Sequence, residues 1–212
     1  MTETPVVYVI DDDDAVRNSI CALLRVYGFN TKSFPSASEF LSQADRLPYG
    51  VLITDLDMPG VTGEELQLRL LEARSSLSII VVTGVADVKG TVRIMASGAI
   101  TLLEKPFSDS ELLAAVNLGF KRSRSLFDQL TQRASISQKL ATLSEDEDEV
   151  LEGMITGKSI KSCARALNLS TRTVERRRKA ILEKLEVDSV PQLAALVENL
   201  RATTPTQPAR QV

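Results

Sequence analysis

Apolar residues in the first half of the chain alternate between short, nearly continuous runs and stretches where they recur every three or four positions. The runs are Val6–Ile10, Val51–Thr54, Ile79–Val82 and Ile100–Leu103, and Phe29–Phe34 adds a short fifth. Runs this short, rich in β-branching and bounded by turn residues, predict strands buried on both faces of a parallel sheet. Between them the spacing predicts helices. Ala15–Tyr27 carries an inner stripe of Val16, Ile20, Leu23 and Leu24, is capped by Asp13 or Asp14, and stops at Gly28. Ser36-Ala37-Ser38-Glu39 is a capping-box pattern that opens a helix with Phe40 and Leu41 inward. Pro48-Tyr49-Gly50 reads as a turn. Thr62–Glu65 is a second box, leading into Leu66, Leu70 and Leu71; Asp87 begins a helix with Val88, Val92 and Met95 that closes at Gly98. Ser108–Glu111 is a third box, before Leu112, Leu113 and Val116. Five strands alternating with five helices is the pattern of a doubly wound α/β domain.

The pattern changes at Lys121. To Thr142 polar residues dominate, with Leu126, Leu130, Ile136 and Leu140 mostly four apart, which predicts a linker that is at least partly helical. It reads as a solvated extension of the preceding helix, with a short dimerising or signalling helix as the alternative. From Leu143 to about Arg201 four short helices follow. Ser144–Glu147 is a fourth box before Val150, Leu151, Met154 and Ile155. Ser159 caps a helix with Ile160, Cys163, Ala164 and Leu167, Asn168 supplies a turn, Ser170 caps the third helix, and Ser189 opens the fourth. Two short helices about a tight turn, the second rich in Arg and Lys, predict a helix-turn-helix. The expected division is therefore 1–122, a linker over 123–142, a second domain over 143–201, and a disordered tail over 202–212.

Composition removes several chemistries. The 212 residues contain no His, which excludes a zinc site of the usual kind and a His-based triad. Two cysteines far apart, Cys21 and Cys163, predict reduced thiols and a cytoplasmic protein. Met1–Pro5 lacks a signal-peptide pattern, and no run is long or apolar enough to predict a membrane span. A net charge of -3 does not advertise nucleic-acid binding, but nine Lys or Arg against two Glu lie between Lys158 and Lys184. On the third helix of the second domain, Val174, Ile181 and Leu185 share an inner face. Arg172, Arg176, Lys179 and Glu183 point the other way, with Glu175, Arg177 and Arg178 on the shoulders. Arginine pairs with guanine edges, lysine with guanine or phosphate, and glutamate accepts from cytosine. The plain alternative is a solvated charged face; the local basic excess favours duplex DNA.

Chemistry gathers at the strand ends. The first run ends in Asp11-Asp12-Asp13-Asp14, the central one in Asp55-Leu56-Asp57-Met58-Pro59-Gly60, the next in Thr83-Gly84, and the last in Glu104-Lys105-Pro106-Phe107. Parallel strands would bring Asp11, Asp12, Asp55, Thr83 and Lys105 to one pocket at the carboxyl edge, where open α/β sheets bind ligands. Crowded carboxylates call for a cation, and hard oxygen ligands with room for water suit Mg²⁺. With Lys105 and a hydroxyl beside it, Asp55 is placed to become an aspartyl phosphate.

These four motifs, in this order, resemble a two-component response regulator of the FixJ-like kind with a LuxR-type output domain. The resemblance covers nearly the whole chain. It implies a flavodoxin-like receiver phosphorylated on Asp55 by a histidine kinase. Mg²⁺ would be held by Asp12 and Asp55, with Asp11 acting through water and the Asp57 carbonyl contributing. By sequence alone Lys105-Pro106 reads as trans; the resemblance implies a cis bond that aims Lys105 into the pocket. In the output domain the matching residues are Leu143-Ser144, Glu149-Val150-Leu151, Ala164, Leu167, Leu169–Glu175, Lys184-Leu185 and Val187. By position they imply that Glu175, Arg176 and Lys179 face bases, while Arg177, Arg178 and Lys184 face phosphates. The expected mechanism draws Lys105 and Thr83 to the phosphoryl group, repacks Leu102, and pairs two chains through the Val88–Met95 helix and the last strand. Two output domains then meet adjacent half-sites.

The chain departs from the resemblance at Leu102, where an aromatic is common, at Val85-Ala86, at Arg176 and Arg177, and along Glu145–Glu149. That acidic stretch reads as favourable charge at a helix start. The alternative is a phosphate mimic covering the basic helix. Rival functions are a haloacid dehalogenase-like phosphatase using Asp55 and Asp57, and a receiver whose basic domain contacts protein or RNA. The former's motif normally follows the first strand, not the third.

Overall fold

The computed structural model describes residues 5–44, 47, 49–84 and 88–201. The turn at Pro48, the helix start at Asp87, the Val85-Ala86 departure and the tail over 202–212 lie outside the described residues. The chain divides into two compact units between Leu130 and Thr131.

The first unit is a five-stranded sheet of β1 (Val6–Ile10), β2 (Asn30–Phe34), β3 (Gly50–Asp55), β4 (Ser78–Thr83) and β5 (Thr101–Glu104). Every pairing is parallel and the order is β2-β1-β3-β4-β5. This is the flavodoxin-like order, whose switch point lies between β1 and β3. Helices α1 (Asp14–Val26), α2 (Ala37–Leu41), α3 (Gly63–Glu72), α4 (Val88–Ala96) and α5 (Asp109–Leu140) alternate with the strands.

Side chains alternate across the pleat, so each strand feeds two cores. Tyr8, Ile10, Leu52 and Val81 pack with Phe34, Phe40, Leu66, Leu70 and Ile94. Val7, Val9, Val51, Ile53, Ile80 and Val82 pack with Ile20, Leu24, Leu112 and Val116. Burying one such Leu, Ile or Phe contributes about 2 kcal/mol. All six residues of β3 are buried, which is why its sequence reads as apolar up to the acid.

Caps set the helix starts. Asp13 accepts from the N–H groups of Ala15 and Val16 at 2.7 and 3.3 Å. Ser36 and Thr62 each accept from the Glu three residues on. Ser108 and Glu111 bond reciprocally, Ser108 N–H to Oε2 at 2.8 Å and Glu111 N–H to Oγ at 3.3 Å.

Some apolar positions turn outward. Leu71 is 60% exposed, and the fully buried neighbour on α3 is Gln67, whose Nε2 donates to the Ile94 carbonyl at 2.8 Å. On α4 the residues facing the core are Gly90 and Ile94, while Val88, Val92 and Met95 are exposed. Spacing alone groups these residues correctly but cannot say which side meets the sheet.

Helix α5 is unbroken from Asp109 to Leu140, so the polar stretch after Lys121 is helical. Its middle turns still pack on the sheet. Ser123 Oγ accepts from the buried Gly50 N–H at 2.9 Å. Arg124 donates to the Tyr49 hydroxyl at 3.1 Å, and Phe127 meets the Tyr49 ring at 5.0 Å between centroids.

The second unit holds α6 (Glu145–Ile155), α7 (Ile160–Ala166), α8 (Thr171–Leu185) and α9 (Val190–Arg201). Val150, Leu151, Met154, Cys163, Val174, Ile181, Leu185 and Leu193 make one core. Asn168, at φ 52, turns the chain between α7 and α8, and Ser170 caps α8 through Thr173 N–H at 3.1 Å. The result is a helix-turn-helix with α8 as its second helix.

Candidate functional site

In the first unit, Ile10 pairs with Thr54, so the next residues, Asp11 and Asp55, emerge side by side at the switch point. Both are buried, 3% and 9% exposed. Thr83 ends β4, is buried, and its carbonyl accepts from Lys105 N–H at 2.8 Å. The Lys105-Pro106 bond is cis. Lys105 Nζ donates to Asp55 Oδ1 at 2.8 Å and to Asp11 Oδ2 at 3.1 Å.

The other carboxylate oxygens are held by the backbone. Asp55 Oδ2 accepts from Asp57 N–H and Asp11 Oδ1 from Asp13 N–H, both at 2.9 Å. Burial pulls the Lys105 pKa down, but the hydrogen bonds and charges of Asp55 and Asp11 outweigh it and hold the value above that of an ordinary lysine. Two buried carboxylates share one ammonium, so the trio keeps net negative charge.

Of the residues expected here, Asp11, Asp55 and Lys105 are joined directly, and Thr83 is joined to Lys105 through its backbone. Asp12 and Asp57 lie at the rim with exposed side chains. Among the described residues, no three acidic or thiol side chains are already gathered as a metal cage.

Two supporting residues escape a reading of strand ends. Arg17, one turn into α1, donates to the Asp11 carbonyl at 2.6 Å and also pairs with Asp14. The sequence signal was the acid three positions before it. Gly63 opens α3 against the end of β3, where a Cβ would strike the Asp55 carbonyl oxygen. Its signal was a Gly at a helix start where any residue would do.

In the second unit α8 buries Val174, Ile181 and Leu185. Arg172, Glu175, Arg176, Lys179 and Glu183 are exposed on the opposite side, and Arg177 and Arg178 are half-buried. An open groove is lined by Ser170, Arg172, Thr173, Glu175, Arg176 and Lys179. Two of the cations expected to face phosphate are paired within the unit: Arg177 with Asp146, and Lys184 with Glu147 at 2.6 Å.

Comparison with known proteins agrees with both halves. Residues 7–117 match the response regulator receiver domain, and residues 141–197 match the bacterial regulatory proteins of the luxR family. The transcriptional regulatory protein FixJ of Azorhizobium caulinodans is 40% identical over 197 residues, 92% of this chain and 93% of that protein. The response regulator protein TodT of Pseudomonas putida F1 is 32% identical over 92% of this chain and 86% of its own length. The chain belongs to the FixJ-like response regulators.

Solved structures agree. Response regulator StyR has a TM-score of 0.77 at 35% identity, covering 93% of this chain and all of that one. Full-length FixJ from B. japonicum has a TM-score of 0.57 at 34% identity, covering 96% of this chain and all of that one. As a FixJ-like regulator, the protein is a transcriptional regulator of a two-component system, with a receiver and a LuxR-type DNA-binding unit. The phosphatase reading falls with this family and with the topology, since Asp55 ends the third strand.

Proposed function

We propose that Asp55 is the phosphoacceptor, that a histidine kinase is the donor, and that the modified receiver drives pairing of two chains and duplex binding through α8. The observation that carries this is the Asp55–Lys105–Asp11 arrangement at the switch point.

The residues present fit Mg²⁺. Asp11 and Asp55 are hard oxygen donors with net negative charge between them, and Mg²⁺ takes only one or two carboxylates while keeping several waters. Asp12 and Asp55 would hold it, with Asp11 acting through water and the Asp57 carbonyl completing the set. Bound there, Mg²⁺ would supply positive charge to offset that of the phosphoryl oxygens.

The Asp55 oxygen then forms a bond to phosphorus as the P–N bond of the kinase phosphohistidine breaks. The product carries close to two negative charges and three acceptor oxygens. Lys105, already bonded to Asp55, turns to one of those oxygens, and the Thr83 hydroxyl to another. Leu102, half-buried against the core beside α4, repacks behind Thr83.

The α4–β5 face is the proposed pairing surface, because Val88, Val92 and Met95 already stand exposed on α4. On DNA, Arg172, Glu175, Arg176, Arg177, Arg178, Lys179 and Lys184 are the residues expected at the duplex from the sequence. Among the described residues no helix is long and apolar enough to cross a membrane; a cytoplasmic site of action is part of the proposal. The receiver takes part in its own phosphorylation and dephosphorylation and turns over no other substrate.

Incubation with acetyl phosphate and Mg²⁺ tests the assignment. The wild-type chain gains one phosphoryl group and Asp55→Asn gains none. Equal labelling of the two would overturn it.

A further inference from the structure

Five of the six basic side chains of α8 fall into two classes; the sixth, Lys179, pairs along the helix with Glu183 at 3.7 Å. Arg172, Arg176 and Arg178 make no hydrogen bond or ion pair within the described residues. Arg177 and Lys184 are committed to α6, through Asp146 and Glu147. The commitment is structural on the α6 side too. Glu147 closes the capping box with Ser144, and the same Oε2 accepts from Ser144 N–H at 3.0 Å and from Lys184 Nζ at 2.6 Å. The Lys184 hydrogen bond, followed by that of Ser144, holds the Glu147 carboxyl below the usual glutamate range. The Arg177 side chain is only 19% exposed.

A cation already neutralised by a carboxylate releases few counterions when a phosphate approaches. To meet DNA it must first leave its partner. The unpartnered arginines need not.

We propose that Arg177 and Lys184 do not hold DNA phosphates but are positioning residues, fixing the DNA-reading helix on α6 through Asp146 and Glu147. Arg172, Arg176 and Arg178 are left as the arginines of α8 that meet the duplex. This rests on α8 being the DNA-reading helix. It also gives the acids of α6 a role opposite to that of a cover. A cover would pair Arg172 and Arg176, which line the groove; Glu147 borders a depression beside Arg176, yet the acids pair with Arg177 and Lys184 instead.

The test uses the full chain, treated with acetyl phosphate and Mg²⁺, binding a mixed-sequence duplex across a salt series. Arg178→Ala lowers the slope of log affinity against log salt by about 0.9, as one lost phosphate contact should. Arg177→Ala leaves that slope unchanged while lowering affinity roughly two- to fivefold. Asp146→Asn lowers affinity by a similar factor. The exchanged pair, Asp146→Arg with Arg177→Asp, restores it.

A drop in slope for Arg177→Ala would make Arg177 a phosphate contact and overturn the proposal. Tighter binding by Asp146→Asn would make the acid a cover, and also overturn it. A double variant weaker than either single change would do the same. Failure of the wild-type chain to bind the duplex at all would instead sink the assignment of α8 itself.

Discussion

At the carboxyl edge of the sheet, all four oxygens of Asp11 and Asp55 have donors: Lys105 takes one from each, and the backbone takes the others. On α8, the side chains of Arg172, Arg176 and Arg178 have no acceptor within the described residues. The two regions use their charges differently. In the buried pocket a charge without a partner is expensive, so geometry is fixed in advance and a new anion must displace an existing bond. On the exposed helix, water satisfies an unpaired guanidinium, so charge can wait for a partner. The ion pairs from α6 are where the second region borrows the logic of the first.

Removing the pocket cation should show the contrast most strongly. Lys105→Met leaves two carboxylates facing each other and should cost the receiver about 2 kcal/mol, less than the roughly 3–5 of a fully buried pair, because Lys105 retains some exposure. Mg²⁺ should return part of that loss, seen as a rise in the urea midpoint. Arg172→Ala, on the exposed side, should move stability by no more than about 0.5 kcal/mol. Equal effects at the two sites would erase the distinction.

Gly63→Ala comes next. Its Cβ meets the Asp55 carbonyl oxygen, and such overpacking costs about 1–3 kcal/mol. Slower labelling of Asp55 should accompany the lower stability; a variant as stable as wild type would show that α3 can shift freely.

Ser123→Ala should cost about 1–2 kcal/mol, since it strips the partner from the buried Gly50 N–H. A receiver fragment ending at residue 122 should accordingly melt below one ending at 130. Equal melting would return these turns of α5 to a plain linker.

The smallest effects are in pH. Glu147 has a lowered pKa in the folded chain, so its contribution is present above the ordinary glutamate value of about 4.3 and lost as pH falls through the folded value. Lys105 is raised, so its contribution is present below about 10.4 and lost as pH rises through its folded value. Glu147→Gln should flatten the acid limb of the output unit's melting curve. Lys105→Met should flatten the alkaline limb of the receiver's.

How much of this was legible in the sequence depends on whether the signal was local. The runs before Asp11, Asp55, Thr83 and Lys105 announce buried parallel strands, and four strand ends with matched chemistry announce a common edge. The cis bond at Lys105-Pro106 came only with the resemblance. Side-chain spacing found α4 but not its orientation, because Val88, Val92 and Met95 are as apolar as Ile94 and differ only in what lies across from them. Gln67 carries no apolar signal yet is fully buried. Ser123 and Phe127 look like linker residues until β3 is placed beneath them. Arg177 and Lys184 read as free phosphate contacts because nothing in α8 reveals that α6 brings Asp146 and Glu147 alongside.

The most direct measurement is the duplex affinity of the full chain with and without acetyl phosphate, in the presence of Mg²⁺, for wild type and Asp55→Asn. If a phosphoryl group on Asp55 governs the reading helix, the wild type tightens on phosphorylation and Asp55→Asn stays at the untreated level. Tightening of Asp55→Asn to the same extent, or no change in the wild type despite full labelling, would contradict that account.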